Sequence, residues 1–254
     1  MATGCAPVAP KAGDPVLRTE LAPTGKLRVG LLAANPNFVT QGTPPGMLKG
    51  VAVEIGDELA RRLGVPMEPV RYETVATLWA GARKGEWDVA MLAIDPERAA
   101  DMHFTSAYMY NENTLLTKTP EMRSLADMDR SGNRIAAPTR SSQETWLVAN
   151  LRSARVQSTK DNAASEALVR DGKAEGMAST REQLRQAQAR MPGSRILEGR
   201  FSENAIALAV PKGRPAALAF AYEFIEEMKA SGAVADAISR AGLTGVRVAG
   251  KGAY

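Results

Sequence analysis

The amino-acid sequence predicts an α/β fold with two lobes, each a mainly parallel sheet flanked by helices. Apolar strand-like segments alternate with amphipathic segments of about ten residues, which is the pattern of parallel sheets. An amphipathic helix, a basic glycine turn and an apolar strand occur in this order twice, at 75–93 and 163–180. Segments near 114–118 and 207–211 predict two hinge strands that cross between the lobes, a layout suited to closure about a ligand.

The first lobe is predicted to begin near Gly25 and to alternate strands with helices. Apolar residues four apart, such as Ile55 and Leu59, mark a helical face, and glycines mark the helix ends. The elements are a strand at 26–32, a polar Pro/Gly-rich loop at 35–50, a helix ending at Gly64, a strand at 65–72, a helix ending at Gly85 and a buried strand at 87–94.

The stretch after this buried strand predicts an anion clamp. Asp95 is a candidate N-cap and Pro96 a candidate first helical residue, with Arg98 inside the first turn. A helix N-terminus and a guanidinium would then meet at the carboxyl end of a parallel sheet, where open α/β folds bind ligands. The alternative for Arg98 is a solvated or ion-paired surface residue.

The second lobe repeats this design. A short helical piece at 125–129 and a strand at 134–137 precede a turn, after which Ser141 and Glu144 have the spacing of a capping box. The strand of the repeat ends near Ser179, and 205–210 predicts the strand that crosses back. A helix opened by Pro215, with Leu218, Tyr222 and Ile225 as its inner face, and a last helix to Gly242 complete the chain.

These elements give the predicted boundaries: a flexible tether at 1–24, lobe one at 25–115 and 208–254, and lobe two at 116–207. The tether is rich in Pro, Ala and Gly and contains Cys5 after two small residues, as in the processing site of a bacterial lipoprotein. Two interpretations stay open: lipid anchoring through Cys5, or a disordered start with an incidental cysteine.

Composition excludes several function classes. The formal charge of +4 is mild, and basic residues are interspersed with acidic ones without an aromatic platform, so no nucleic-acid partner is expected. One cysteine and one histidine, His103, leave little for a metal site or a serine-protease relay. No segment has the roughly 18 apolar residues of a membrane span. We expect no metal and no cofactor.

Several motifs, taken in order, resemble the amino-acid type (family 3) of the extracytoplasmic solute-binding proteins of ABC importers. They are GKLRVGL at Gly25, LKGVAVEIGDELARRLG at Leu48, GEWDVAMLAIDPERA followed by HFTSAY, SSQET at Ser141, DGKAEGMA at Asp171 and AVPKG at Ala209. The resemblance covers nearly all of 25–245. It implies the type II periplasmic-binding fold, a permease partner, a monomer and a periplasmic or extracytoplasmic location.

The resemblance also implies a ligand site. The arginine of the family's P-E-R stretch clamps the ligand carboxylate, which carries over to Arg98. The family's G-S/T-T/S-x-E turn supplies hydroxyl and backbone donors to the same carboxylate, which maps to Ser141, Ser142 and Gln143. Phe38 is the candidate aromatic residue over the ligand side chain, with Asn37 beside it, and Asp95 stands where a Ser or Thr usually begins the helix. No catalytic residue is expected.

This sequence departs from the family at the ammonium-binding position. An aspartate usually stands at the end of the lobe-two strand, where this chain has Ser179 or Thr180. A free ammonium group would need Asp95, Glu112 or Glu203 instead. The hypothesis is therefore a receptor that captures a small carboxylate, an organic acid or modified amino acid rather than a standard zwitterion.

Two alternatives share the fold. One is a dehydratase of the cyclohexadienyl or arogenate type, which needs a general acid such as Glu112, Asp95 or Glu203. The other is the ligand domain of a sensor, which the lack of a transmembrane helix or kinase module before Tyr254 disfavours. The receptor, which is not an enzyme, is the leading hypothesis.

Overall fold

The structure, a computed structural model, describes residues 13–33, 35–41 and 46–254, and Cys5 lies outside them. The described chain forms two units. The first unit contains the chain up to Met109, then Ala205–Gly242 and Arg247–Tyr254. The second contains Tyr110–Asn204 and Leu243–Val246.

The first unit alternates helices and strands around a four-stranded arrangement. Its elements are α1 (Pro15–Leu21), β1 (Leu27–Leu32), β2 (Thr40–Gln41), β3 (Leu48–Lys49), α2 (Val51–Leu63), β4 (Met67–Tyr72), α3 (Val75–Lys84), β5 (Val89–Ala93) and the beginning of β6 (Met102–Thr117). Strand β1 lies between β4 and β5, parallel to both. The neighbouring parallel strands β1 and β5 end at the same edge, so the loops that follow them share that edge.

The second unit repeats this plan. Its elements are the remainder of β6, α4 (Leu125–Met128), β7 (Arg134–Pro138), α5 (Ser142–Asn150), β8 (Arg155–Thr159), α6 (Asn162–Arg170), β9 (Gly176–Thr180), α7 (Arg181–Arg190), β10 (Arg195–Ile196) and the beginning of β11 (Ser202–Pro211). Strand β7 lies between β8 and β9, parallel to both. Strand β6 is antiparallel to β9, and its end also pairs with β10.

The chain returns to the first unit within β11, whose residues Ile206–Ala209 run antiparallel to β5. Helices α8 (Pro215–Ala230) and α9 (Ala233–Arg240) and strand β12 (Val246–Val248) complete the fold. Each unit thus combines three parallel strands with one antiparallel strand, and that strand is one of the two that connect the units along the chain.

The alternation of side chains along the strands builds the core of the second unit. Leu115, Ile135 and Ala178 face one side of the sheet and pack with α4 and α5 residues such as Met128 and Leu147. Their chain neighbours Leu116, Ala136 and Met177 face the other side of the sheet. There they pack against Val169 of α6 and against Leu184 and Ala187 of α7. Successive residues of a strand point to opposite faces, so the sheet is covered on both sides.

The predicted flexible tether is wrong for Pro15–Leu21, which form α1. The Asp14 side chain accepts the Val16 N–H at 2.8 Å and Pro15 occupies the first turn, which is favourable helix-start chemistry. Leu17 and Leu21 are fully buried. The short segment is helical because tertiary packing stabilises it, which composition alone does not reveal.

Two further sequence predictions need correction. The inner face of α8 consists of Ala217, Ala221, Phe224, Ile225 and Met228, because the predicted Leu218 and Tyr222 are only half-buried. The predicted helix after Pro96 is a single 3-10 turn, Arg98–Ala100, followed at once by β6. In the described part of the chain, no helix has the combined length and apolarity that a membrane crossing requires.

Candidate functional site

Arg98 follows the carboxyl end of β5 in the first unit, held by a turn that Asp95 organises. The Asp95 Oδ1 atom accepts the N–H groups of Glu97 at 2.9 Å and Arg98 at 3.1 Å. Asp95 therefore caps the turn, as the sequence predicts, although the turn does not continue into an α-helix. One oxygen of the Asp95 carboxylate accepts both backbone N–H groups, which fixes the place of Arg98.

The Arg98 side chain is buried and only partly satisfied. It is 5% exposed, and its Nη1 donates to the Ala93 carbonyl at 3.0 Å. Its Nε–H has no hydrogen-bond partner among the described residues, and no described carboxylate forms an ion pair with it.

Burial lowers the pKa of the Arg98 guanidinium, while Asp95 and Glu97 act in the opposite direction. The group nevertheless stays cationic at neutral pH, because an arginine does not deprotonate in proteins. An unpaired buried cation is costly, so this site favours an anion.

Asn37 and Phe38 lie after the carboxyl end of β1, the strand beside β5. Asn37 is 1% exposed and Phe38 is 4% exposed. Asn35 organises their turn: its Oδ1 accepts the Asn37 N–H and its carbonyl accepts the Phe38 N–H, both at 3.0 Å. The four first-unit candidates thus follow two neighbouring parallel strands at one edge of the sheet. The burial of Phe38 means that its ring presents little surface to a ligand in this structure.

The turn from β7 to α5 carries Ser141, Ser142 and Gln143 in the second unit. Ser141 is the N-cap of α5, and its Oγ accepts the Glu144 N–H at 3.0 Å. The predicted capping box is only half formed. The Glu144 carboxylate accepts the Arg140 N–H at 2.6 Å and bonds the Ser158 hydroxyl, whereas the Ser141 N–H donates to the Pro138 carbonyl at 3.1 Å. Glu144 closes the loop rather than the helix end.

Arg140, which the sequence analysis missed, has a left-handed backbone with φ of 61°. It is the third residue of a turn closed by the Ser141 N–H and the Pro138 carbonyl, a position at which positive φ favours glycine. In the G-S/T-T/S-x-E motif, Arg140 occupies the place of the glycine. The replacement of the motif's glycine by arginine is the sequence signal that could have identified this position. A non-glycine residue in this conformation stores backbone strain of about 1 kcal/mol at the candidate ligand turn.

Gln143 is 6% exposed and already has a protein partner, because its Nε2 donates to Asn113 Oδ1 at 2.6 Å. Ser142, the first residue of α5, is half-buried. The turn therefore presents one hydroxyl and the first backbone amides of a nine-residue helix, with the glutamine committed to the interior.

Ser179 lies at the end of β9, the parallel neighbour of β7, and is 2% exposed. Its hydroxyl donates to Gln183 Oε1 at 2.7 Å, and the Thr180 hydroxyl donates to the same oxygen at 2.9 Å. The position at which the resemblance expects an aspartate thus carries two hydroxyls that bond a neutral carboxamide. No carboxylate stands at either residue.

The other carboxylates considered for an ammonium group are engaged by protein donors. Glu112 Oε2 lies 2.7 Å from Arg181 Nε, and Arg200 is 3.8 Å from its Oε1. Glu203 lies 3.3 Å from Arg200. Among the described residues, no group of three or more His, Cys, Asp or Glu side chains could hold a metal ion.

The sequence profile of the bacterial extracellular solute-binding proteins, family 3, matches residues 27–241 of the chain. The chain belongs to this family. The resemblance found from the sequence motifs is therefore confirmed, and solute binding is the function class of the protein. No curated protein matches the sequence.

Solved structures with the same fold cover most of this solute-binding protein. An amino acid ABC transporter substrate-binding protein from Streptococcus pneumoniae, AbpA bound to L-arginine, has a TM-score of 0.75 at 21% identity and covers 87% of this chain and 96% of its own. The putative binding component of an ABC transporter from Wolinella succinogenes, complexed with lysine, has a TM-score of 0.74 at 20% identity and covers 85% and 95%.

A third structure connects the fold with an enzyme. The ancestral amino acid-binding protein AncCDT-1, a precursor of cyclohexadienyl dehydratase, has a TM-score of 0.73 at 23% identity and covers 87% of this chain and 96% of its own. At these identities the likenesses show the fold alone. They confirm the predicted α/β class of two-lobed periplasmic-binding proteins for this solute-binding protein.

Proposed function

We propose that this protein captures a small carboxylate between its two lobes and delivers it to the permease of an ABC importer. The observation that carries the proposal is the buried guanidinium of Arg98, which has an unpartnered Nε–H and no ion pair among the described residues. A carboxylate matches a guanidinium in charge and planar geometry and would supply the missing acceptor. The free energy lost by burying the cation would be recovered when the ligand binds.

The remaining residues divide by role in this proposal. Ser141 and Ser142, at the start of α5, give hydroxyl and backbone donors to the same carboxylate. Asp95 holds the turn that carries Arg98 through its Oδ1 atom, and it stays a candidate for contact with the ligand. Asn37, Phe38, Gln143 and Ser179 are candidates for contact with the rest of the ligand.

The ligand class follows from the charges available to it. Ser179 and Thr180 offer no carboxylate, and Glu112 and Glu203 are paired with arginines. A ligand with a free α-ammonium group would therefore find no uncommitted carboxylate at these four described positions. We propose an organic acid or an amino acid with a modified nitrogen, although related structures of this fold are bound to arginine or lysine.

A thermal-shift screen over amino acids, N-acylated amino acids, aromatic acids and dicarboxylates tests the proposal. A ligand at 100 times its Kd stabilises the native state by about 2.7 kcal/mol, which raises the melting temperature measurably. The Arg98→Ala variant should lose most of the shift. Arg83→Ala, which removes an exposed arginine of the first unit paired with Asp101, is the matched control and should keep it.

Different results would contradict the receptor function and the ligand class. The receptor function is contradicted if no small carboxylate shifts the melting temperature, or if Arg98→Ala keeps the full shift. The ligand class is contradicted if a standard amino acid gives the largest shift and calorimetry confirms its tight binding.

We further propose that the protein catalyses no reaction. The dehydratase alternative needs a general acid, and the three candidates for it, Asp95, Glu112 and Glu203, are each engaged by backbone amides or arginines. Incubation with prephenate or arogenate should give no product.

We also propose that the protein lies outside the cytoplasmic membrane as a monomer, with Cys5 as the candidate lipid anchor.

A further inference from the structure

A buried network of neutral polar side chains surrounds Asn113 in the second unit. Asn113 is fully buried on β6. Its Nδ2 donates to Ser202 Oγ at 3.0 Å and to Asn204 Oδ1 at 2.8 Å. Its Oδ1 accepts from Gln143 Nε2 at 2.6 Å and from Asn204 Nδ2 at 3.3 Å. Both N–H groups and both acceptor sites of one carboxamide are therefore used.

This carboxamide joins three elements with different positions in the chain. Gln143 is the second residue of α5, immediately after Ser141 and Ser142 of the candidate ligand turn. Asn113 lies on β6, four residues into the second unit. Asn204 lies on β11 and is the last residue before the chain returns to the first unit. The network thus connects the ligand turn with both strands along which the chain passes between the units.

The main chain fixes the geometry of the hub. The carbonyl of Asn113 accepts the Phe201 N–H at 3.0 Å, and its backbone pairs with Thr180 of β9. The side chain therefore starts from a rigid strand and has little freedom to follow a moving partner. Burying polar side chains costs desolvation free energy, and a buried polar network is stable only when every member is satisfied. An apolar residue would fill a core position without a further role at lower cost.

We infer that Asn113 is a positioning residue that couples the ligand turn to the two connecting strands. The inference rests on the proposed function in one respect, namely that the Ser141–Ser142 turn meets the ligand. A change in the direction of β6 or β11 moves Asn113 or Asn204, and the Gln143 hydrogen bond transmits that change to the start of α5. A ligand that prefers one position of the turn then biases the two strands, since it shifts the equilibrium toward the arrangement it binds better.

The coupling can be measured without any ligand. Lys84→Cys in the first unit and Arg170→Cys in the second, both at exposed positions, carry a fluorophore pair in a Cys5→Ser background. Single-molecule energy transfer then reports the distance between the units and its fluctuation. Because no ligand is present, a failure of the proposed function does not affect this measurement.

Asn113→Leu keeps the approximate shape of the side chain and removes all four hydrogen bonds. Gln143→Leu removes only the connection to α5. Thr114→Val is the matched control, because Thr114 is a buried neighbour on β6 whose hydroxyl bonds the Leu197 carbonyl and no residue of α5 or β11. Urea unfolding identifies any variant that is not folded, and Gln143→Leu then carries the test in place of Asn113→Leu.

The inference predicts that Asn113→Leu changes the rate of exchange between distance states at least fivefold, and that Gln143→Leu changes it in the same direction. The double variant should resemble Asn113→Leu alone, since both substitutions break one path. Thr114→Val should behave as the parent. The inference is overturned if the folded Asn113 and Gln143 variants give the parent distances and rates, or if Thr114→Val changes them equally.

Discussion

The two ends of strand β5 each carry a buried charge, but they differ in how the protein satisfies that charge. Asp88, directly before the strand, is fully buried and accepts hydrogen bonds from Arg28 Nε at 3.0 Å, Arg28 Nη2 at 2.8 Å and Arg214 Nη1 at 2.9 Å. Arg98, after the strand, is buried without an ion pair among the described residues. A satisfied buried charge fixes the fold, whereas a buried charge with a free donor is ready for a ligand.

The two ends of β5 also differ in the number of structural elements that the buried charge connects. The Arg28 N–H also donates to Asp88 at 3.0 Å, and Arg214 additionally donates to the Glu20 carbonyl of α1 at 2.7 Å. The cluster at the amino end of β5 therefore connects β1, α1 and the start of α8. At the carboxyl end, the Arg98 guanidinium donates to the Ala93 carbonyl, at the end of β5, and has no other hydrogen bond to the described residues. Substitutions at the two ends should accordingly separate stability from binding.

The largest effect is expected from Asp88→Ala. It leaves two guanidinium groups without their common acceptor, and breaking a buried ion pair costs about 3 to 5 kcal/mol. Urea unfolding should show this loss of unfolding free energy, while the folded fraction keeps its ligand affinity. A loss below about 1 kcal/mol would contradict the structural role of the cluster.

Arg98→Met should have the opposite profile. Removing the charge that we propose to meet the ligand carboxylate should weaken binding more than a hundredfold, about 3 kcal/mol. The unfolding free energy without ligand should stay constant or rise, because an apolar side chain carries no unpaired buried charge. Calorimetry and urea unfolding on the same samples provide the comparison. A destabilisation as large as that of Asp88→Ala would mean that Arg98 is another structural cation.

Arg140→Gly extends the comparison to the candidate ligand turn of the second unit. Glycine adopts a φ of 61° without the strain of a side chain, although it adds entropy to the unfolded chain. We expect a net gain of up to about 0.6 kcal/mol in unfolding free energy, measured by urea unfolding, because the entropic cost of about 0.4 kcal/mol or more offsets part of the released strain. Lys160→Gly, at an exposed position outside this turn, is the control and should show no gain. A loss of stability in Arg140→Gly would show that the turn is not strained.

The smallest effect is expected from an exposed ion pair. Hydrogen bonds from Arg61, and then from Arg62, lower the pKa of Glu58 to about 2, below its ordinary value of 4.5. A lowered folded-state pKa stabilises the protein above pH 4.5, and the contribution is lost as the pH falls from 4.5 to 2. Solvent screening limits it to about 0.5 kcal/mol. Glu58→Gln should remove this part of the acid dependence of unfolding and leave ligand binding unchanged.

The sequence predicts the fold class well because strand and helix periodicity is local. The buried strand β5, helices α2 and α3 and the repeated plan of the second unit all follow from apolar spacing and glycine ends. Helix α1 and the 3-10 turn at Arg98 could not be read in this way. The first depends on tertiary packing of Leu17 and Leu21, and the second on a competition between a short turn and the long strand β6.

The candidate site was only partly accessible from sequence. Motif spacing selects Arg98, Ser141 and Ser142, yet it does not reveal hydrogen bonds between residues far apart in the chain. Gln143 is such a case, since its partner Asn113 lies 30 residues away. Arg140 is another, because its unusual backbone follows from the loop closure by Glu144.

In the proposed function, the free donor of Arg98 receives the ligand carboxylate. NMR of the arginine side-chain Nε–H groups tests it most directly, with the Arg98 signal assigned from its absence in Arg98→Lys. We expect a large downfield shift of the Arg98 Hε signal when the carboxylate that gives the largest thermal shift is added. An unchanged Arg98 signal at saturating carboxylate would contradict the binding role of Arg98.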